Sequence, residues 1–321
     1  MKKLTSSIAA CALSAVTMCS CGAGQDPIDP PSSTPTIALL NKFENELNTQ
    51  EKANVFSVAV YQDGDLQTRS FGKSNPCQNA YSVAKTFIVT AIGLLVDQGL
   101  LTIDETVVDI LADELPETYN EVWSQTTVEM LMLHNVGLSA GFLDIDVLDA
   151  TTFGEDYLSY VLNAPIREDY NPLGNSYTYT DAAYYLLSRI VEKKSGMGTD
   201  DFLWKYLFYP IGCRETAWSH CPKGHVIGAT GLYIRAEDLV KHGVIYLNGG
   251  MYGDKRILSQ GWVQTVLDRG YEFRSYDKGV SFRKGGMRGQ MLIIVPRMKR
   301  VMAWLGCGEN DFTSVATSVI E

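Results

Sequence analysis

Three short stretches carry residue types that can accept protons and attack a carbonyl. Ser82 and Lys85 stand three apart in Tyr81-Ser82-Val83-Ala84-Lys85-Thr86, at the start of a long apolar run. On a helix their side chains share one face. A hydroxyl at a helix N-terminus meets free backbone N–H groups and the positive dipole end, which favour a developing oxyanion. A lysine one turn on can take the hydroxyl proton if burial or a second cation lowers its pKa. Tyr177-Thr178-Tyr179-Thr180-Asp181 adds a phenol and a carboxylate in a polar loop, and Arg283-Lys284-Gly285-Gly286-Met287 adds a second ammonium. Alone, the Ser82 stretch reads as a capping serine beside a solvated lysine, because four-residue patterns recur by chance.

A second serine competes for the nucleophile's role. Gly137-Leu138-Ser139-Ala140-Gly141 fits the G-x-S-x-G elbow. Asp144, Asp146 and Asp149 follow it, and then His220, His225 and His242, so the order of a Ser-Asp-His triad is available. An elbow needs a buried strand before the serine and a helix after it. Here residues 128–133 read as helix and 142–149 as acidic loop, so Ser139 is expected to be a loop serine. The cluster Cys213, His220, Cys221, His225 has the residue types of a zinc site but no standard zinc spacing. We therefore expect no metal and no cofactor.

The elements that must position these groups can be read from periodicity. Residues 87–96 are apolar almost all round and stop at Gly99, which marks a central buried helix behind Ser82. An amphipathic helix is predicted over 36–48, and strands over 55–61 and 66–71 around an Asp63-Gly64 turn. From 100 to about 257 helix and loop dominate, with helices expected near 184–192, 200–207 and 236–247. Strands return over 280–284, 291–295 and 301–305, and a short helix over 311–320 closes the chain. Strands at both ends with helices between predict an α+β fold. One antiparallel sheet would be built from both termini, with a mainly helical lobe of about 100–257 inserted.

The chain has 321 residues and a net charge of −10; removing Lys2 and Lys3 with a leader takes this to −12. That balance argues against nucleic acid as a partner. Residues 1–21 read as an export signal: two lysines, then an apolar stretch over 8–18 too short to span a bilayer. Met18-Cys19-Ser20-Cys21-Gly22 resembles a bacterial lipoprotein cleavage site, with Cys21 the lipidated residue. Ordinary secretion is the alternative. Residues 22–35, rich in Pro, Gly and Ser, read as a tether, leaving 36–321 as the folded domain. The expectation is an exported protein held at the cell envelope by a lipid anchor. Export permits disulfides: Cys213 with Cys221 locally, or Cys77 with Cys307 if the fold joins them.

Taken together, the three stretches resemble the serine β-lactamase and penicillin-binding protein superfamily. The resemblance is to its class C β-lactamase, D-alanyl-D-alanine carboxypeptidase and esterase branch, over about 36 to the C-terminus. Ser82-Val83-Ala84-Lys85 matches S-x-x-K, Tyr179-Thr180-Asp181 falls where the branch has Y-x-N, and Lys284-Gly285-Gly286 where it has K-T-G or H-x-G. The resemblance implies that Ser82 attacks a carbonyl, that Lys85 and Tyr179 share the proton traffic, and that water hydrolyses the acyl-enzyme. It implies an oxyanion held by the backbone N–H groups of Ser82 and Met287, substrate close along Gly285 and Gly286, and a substrate carboxylate on Lys284. Two neighbouring lysines are then expected to lower each other's pKa and favour a tyrosinate at Tyr179. Asp181 departs from the pattern: a carboxylate cannot donate to a substrate carbonyl as an amide does, and is expected to pair with Lys85 or Lys284. That change points to an ester, or a small peptide or amide with a D-alanyl end (a small or peptidoglycan-like substrate), rather than a β-lactam. The alternatives are a class C-like β-lactamase and a non-catalytic penicillin-binding envelope receptor.

Overall fold

The computed structural model describes residues 34–72, 75–173 and 176–320. The leader, Cys21 and nearly all of the tether lie outside the described residues. The folded unit begins earlier than expected, since Pro35 belongs to its first helix, α1 (Pro35–Leu47), with Thr34 as N-cap. Proline suits the first helical position because its missing N–H has no intrahelical partner there.

The main sheet has six antiparallel strands. In chain order they are β1 (Val55–Gln62), β2 (Asp65–Ser70), β3 (Arg274–Tyr276), β4 (Ser281–Gly286), β5 (Gln290–Val295) and β6 (Arg300–Gly306). They lie in the order β2-β1-β6-β5-β4-β3, so the N-terminal hairpin pairs with the last strand of the chain. This is the sheet expected from both termini, with one addition. Strand β3 is too short and too polar to show a strand pattern, and it is ordered as an edge beside β4.

Period-two alternation divides the core between the sheet's two faces. Val58, Val60, Ile293, Met302 and Trp304 meet α1 and a C-terminal helix. Ala59, Leu292, Ile294, Val301 and Ala303 meet the larger, helical side. There the helix Ala236–Leu247 lies so close to β6 that a Cβ on Gly243 would come within 2.6 Å of Val301.

Between β2 and β3 stands the helical lobe. Helix α2 (Ala84–Asp97) is buried without interruption from Ala84 to Leu95 and packs against α3 (Asp181–Ser195). A fully apolar helix can only be satisfied by burial on all sides, and that fixes Ser82 and Lys85 at the floor of the lobe junction. A helix over Gln260–Arg269 and a small sheet joining Gln78–Asn79, Leu232–Ile234 and Ala217–Trp218 were not visible in the periodicity.

Candidate active site

Ser82 sits in a single turn of 3-10 helix, Tyr81–Val83, that leads into α2. Tyr81 takes a positive φ of 47°, a conformation costing about 1–2 kcal/mol for a residue with a Cβ. The turn is held from the other side by β4: a Cβ on Gly286 would lie 2.6 Å from the Ala80 carbonyl oxygen. Gly286 therefore serves the approach of the strand to the Ser82 turn, whereas Gly285 is exposed, and a Cβ there would meet Met291 Cε at 3.6 Å and the Gln290 carbonyl oxygen at 3.8 Å, ordinary contact distances. Met287, the next residue, lines the same cleft as Ser82.

The three motifs converge. Tyr179 Oη donates to Ser82 Oγ at 2.7 Å, and Lys85 Nζ donates to the same oxygen at 3.1 Å. Lys85 is wholly buried and also donates to Asp181 Oδ1 at 2.7 Å and to the Ala229 carbonyl at 2.9 Å. An ammonium has three N–H donors, and all three are spent. Burial alone would lower the Lys85 pKa. Asp181 and Tyr179 outweigh it, and the pKa is raised above the ordinary lysine value. This reverses the expectation that two lysines would depress one another. Asp181 stands in the first turn of α3, behind its N-cap Thr180, where the helix dipole favours a carboxylate. It is buried on Lys85 rather than open to the cleft.

Lys284 has a partner that the sequence did not reveal. It forms an ion pair with Glu272, which also receives the His134 Nε2 proton at 2.8 Å. His134 Nδ1 accepts the Thr180 backbone N–H at 3.3 Å, which fixes the tautomer. Burial lowers the His134 pKa, against the pull of Glu272. Burial would raise the Glu272 pKa, but Lys284 and His134 hold it well below the ordinary carboxylate range. Glu272 adopts a φ of 60° and His134 a φ of 56°; strained backbone gathers around this cleft, as at other functional sites. No motif contains Glu272. The only signal was a lone acidic residue between Tyr271 and Phe273, in a stretch to which periodicity assigns no element. The two ammonium groups flank the Tyr179 ring, at 4.8 Å for Lys85 and 5.1 Å for Lys284.

The cleft above these groups has a volume of about 360 Å³ and is lined by Ser82, Tyr179, Lys284 and Met287 among others. Ser139 is not among the residues lining this cleft. It is exposed in a loop that follows the short helix Val128–Met132, with no strand before it. The loop is pinned to α3 instead: Phe142 O accepts from Thr180 Oγ1 and from the Asp181 N–H. The histidines of the rival triad are engaged separately, His220 with Asp200, His225 with Glu192 and His242 with Thr90. The four described cysteines are free thiols, so neither expected disulfide forms. Cys213 packs against Asp238 and Cys221 against Tyr185. Among the described residues, one group could in principle hold a cation, Asp144, Asp146 and Asp181; Lys85 already neutralises the last of these.

Comparison with known proteins gives the chain a family and a fold. The Beta-lactamase family profile matches residues 40–311. A penicillin-binding protein 4 of Amycolatopsis lactamdurans is 30% identical over 53% of this chain and 46% of its own length. The 6-aminohexanoate-dimer hydrolase of Paenarthrobacter ureafaciens is 24% identical over 62% of this chain and 52% of its own. The chain thus spans about half the length of these curated relatives. A penicillin-binding protein homologue from Caulobacter crescentus superposes with a TM-score of 0.66 at 17% identity, covering 87% of this chain and 95% of that one.

Proposed function

The chain belongs to the Beta-lactamase family, and on that premise we propose that it is a serine hydrolase that forms an acyl-enzyme at Ser82. The substrate would be an ester, or a small peptide or amide with a D-alanyl end. The observation that carries this reading is the double hydrogen bond at Ser82 Oγ, from Tyr179 at 2.7 Å and Lys85 at 3.1 Å.

Lys85 is held as an ammonium with every donor used, so it serves as a fixed positive charge and Tyr179 is the group within reach to act as base. To act as base, Tyr179 Oη must first release to solvent the proton it donates at rest, and it then takes the Ser82 proton as Oγ bonds to the carbonyl carbon. The ammonium groups of Lys85 and Lys284 stabilise the negative charge on the ring oxygen before that transfer. The carbonyl oxygen becomes an oxyanion held by the backbone N–H groups of Ser82 and Met287. The intermediate then collapses, and the leaving group departs with the proton from Tyr179. Water attacks the acyl carbon, gives its proton to Tyr179, and Ser82 leaves reprotonated.

The names of the matched relatives, one for penicillin binding and one for hydrolysis of the 6-aminohexanoate dimer, support acyl-transfer chemistry without choosing the substrate. Asp181 lowers the expectation for β-lactams, because a carboxylate committed to Lys85 gives the substrate amide no N–H. Labelling with a fluorescent fluorophosphonate tests the nucleophile. We expect label on the wild type and none on Ser82→Ala; an unlabelled wild type, or equal label on both, overturns the reading. Parallel assays on nitrocefin, a short nitrophenyl ester and a D-Ala-D-Ala peptide then separate the substrate classes, with the ester expected to be fastest. For the leader we propose export with a lipid on Cys21, expected to appear as palmitate incorporation that Cys21→Ala abolishes.

A further inference from the structure

We propose that the end of the main sheet opposite Ser82 docks on an anionic phospholipid, whose phosphate enters a groove built by Arg297, Lys299 and Arg300. This goes beyond the hydrolase reading and takes its orientation from the lipid anchor proposed for Cys21. The groove has a volume of about 420 Å³. It lies between the β5–β6 turn, the end of β1 at Gln62 and Asp63, and the C-terminal residues Val319 and Ile320.

Arg300 is the observation that points to an anion. Its side chain is buried, with 1% of the residue exposed. Its Nε donates to Gln62 Oε1 at 2.9 Å, and its Nη1 donates to the carbonyl oxygens of Ala316 and Ser318, both at 2.7 Å. All three acceptors are neutral, and Nη2 bonds to none of the described residues. Burial lowers the Arg300 pKa, yet a guanidinium keeps its proton in a protein. Buried charges are ordinarily paired. Among the described residues, however, no carboxylate lies within ion-pair distance of Arg300 or of the exposed Arg297. Lys299 has the exposed Asp63 at 3.5 Å, a contact of little strength in water. Asp65, on the neighbouring strand, is taken up by the Thr34 and Thr36 hydroxyls. Three cations thus line the groove against the single acid Asp63.

The sheet register indicates where the anion would come from. Asp65, Gln62, Arg300 and Val295 are successive partners across β2, β1, β6 and β5, and form one row at this end. Thr34, through which the tether joins the domain, donates to Asp65 at 3.0 Å. Two strand spacings, about 10 Å, separate Asp65 from Arg300. A lipid on Cys21 lies at most about 45 Å from Thr34 along the chain, so an anchor there holds this end near the bilayer. The groove's rim is apolar: Val319 is 71% exposed, and Met298 and Ile320 are partly exposed. Such side chains can enter the interface beside a headgroup. Gly286 and Gln290, beside the Ser82 turn, are paired at the other end of β4 and β5, about 17 Å along the strands. Docking through the groove therefore leaves the cleft directed away from the bilayer. A chain of net charge −10 is repelled as a whole by an anionic surface, so this local excess of cations sets its orientation.

The test uses the full chain with Cys21→Ala, so that no lipid is attached. Co-sedimentation is measured with vesicles of phosphatidylcholine, with and without phosphatidylglycerol. We expect phosphatidylglycerol to raise the affinity at least tenfold, as two or three basic groups at an anionic surface should, and high salt to remove the gain. Arg297→Gln/Lys299→Gln should cut the gain to within twofold. Lys205→Gln/Arg214→Gln, which removes two exposed cations of the helical lobe, should keep it. Arg300 is left intact in both, so that Gln62 and two carbonyls keep their donor. The leader is present in every arm, so a difference between variants belongs to the groove. Equal binding to both vesicles, or a gain that both double variants reduce alike, overturns the inference. So does a thermal midpoint raised by inorganic phosphate without vesicle binding, which would assign the groove to a soluble anion. A gain seen only in Glu321→Gln also overturns it, since the chain's own carboxylate would then fill the groove. The expected vesicle binding, found together with no palmitate on Cys21, would support the groove and count against the anchor alone.

Discussion

The two sides of the cleft each contain a lysine paired with a buried carboxylate, yet the pairs act differently. On the helical side Lys85 reaches Ser82 directly, and Asp181 holds it from behind. On the sheet side Lys284 is drawn to Glu272, and Glu272 in turn to His134. Tyr179 lies between, with an ammonium on either flank. Taking charges out of water is costly, and a buried pair is neutral in stability only when both partners are present. The helical pair therefore fixes the charge state of a group touching Ser82. The sheet pair fixes the position of a strand-end lysine beside the cleft.

Asp181→Asn breaks the helical pair and carries the largest expected effect. Lys85 then keeps its burial and loses the carboxylate, so its pKa falls. The expected loss of stability is about 3–5 kcal/mol at pH 7, measured by urea denaturation. The sign with pH follows from the raised pKa of Lys85. Its contribution is fully present below the unfolded value and lost only as pH rises through the higher folded value. The cost should therefore be constant between about pH 6 and 9. The asparagine also restores an amide donor, so acylation by nitrocefin relative to the nitrophenyl ester should rise about tenfold. Unchanged stability together with an unchanged ratio would show that Asp181 does not govern Lys85.

How much of this could be read from the chain follows from the kind of signal each element leaves. Ser82, Lys85, Tyr179 and Lys284 sit in short motifs, and the apolar run of α2 announced a buried helix, so the helical side was legible. The central strands were legible because they alternate or are continuously apolar. Strand β3, Arg-Ser-Tyr with all three residues exposed, has no pattern to detect, because tertiary pairing with β4 defines it. Arg274 enters the cleft on that strand and Glu272 just ahead of it, and the sheet-side ion pair was hidden with it. Asp181 was legible as a departure from a motif, but its choice of Lys85 over Lys284 needed the geometry.

Glu272→Gln breaks the sheet pair while keeping its shape, and should cost less because Lys284 lies near the cleft and can reach water. We expect about 2 kcal/mol, present at pH above the unfolded carboxylate value near 4.5 and lost as pH falls through the lower folded value. A freed Lys284 should also disturb turnover, with kcat/KM falling about tenfold. A drop confined to KM would assign Glu272 to substrate positioning, and a drop in kcat to support of Tyr179. Full activity with reduced stability would leave the pair with a structural role only.

The smallest effect concerns acid sensitivity and separates two buried histidines. His242 stacks on Phe87 at 3.9 Å and bonds to Thr90, and burial lowers its pKa to about 3. His134 is lowered too, but Glu272 opposes the shift. Both groups take up protons in the unfolded chain near pH 6.5 before they do so in the folded one, so the unfolded state gains as pH falls. Each histidine that stays neutral should remove about 1.4 kcal/mol of stability per pH unit below that point. For His242 this continues down to about pH 3, and for His134 it ends earlier because Glu272 stabilises its proton. Glu272→Gln removes that support, so the variant should lose stability more steeply than the wild type as pH falls below the ordinary histidine value. His134→Asn in the same background should return the slope to that of His242 alone. Identical slopes in wild type and Glu272→Gln would mean that the carboxylate is not felt by His134, and the sheet side would then reduce to a single isolated ion pair.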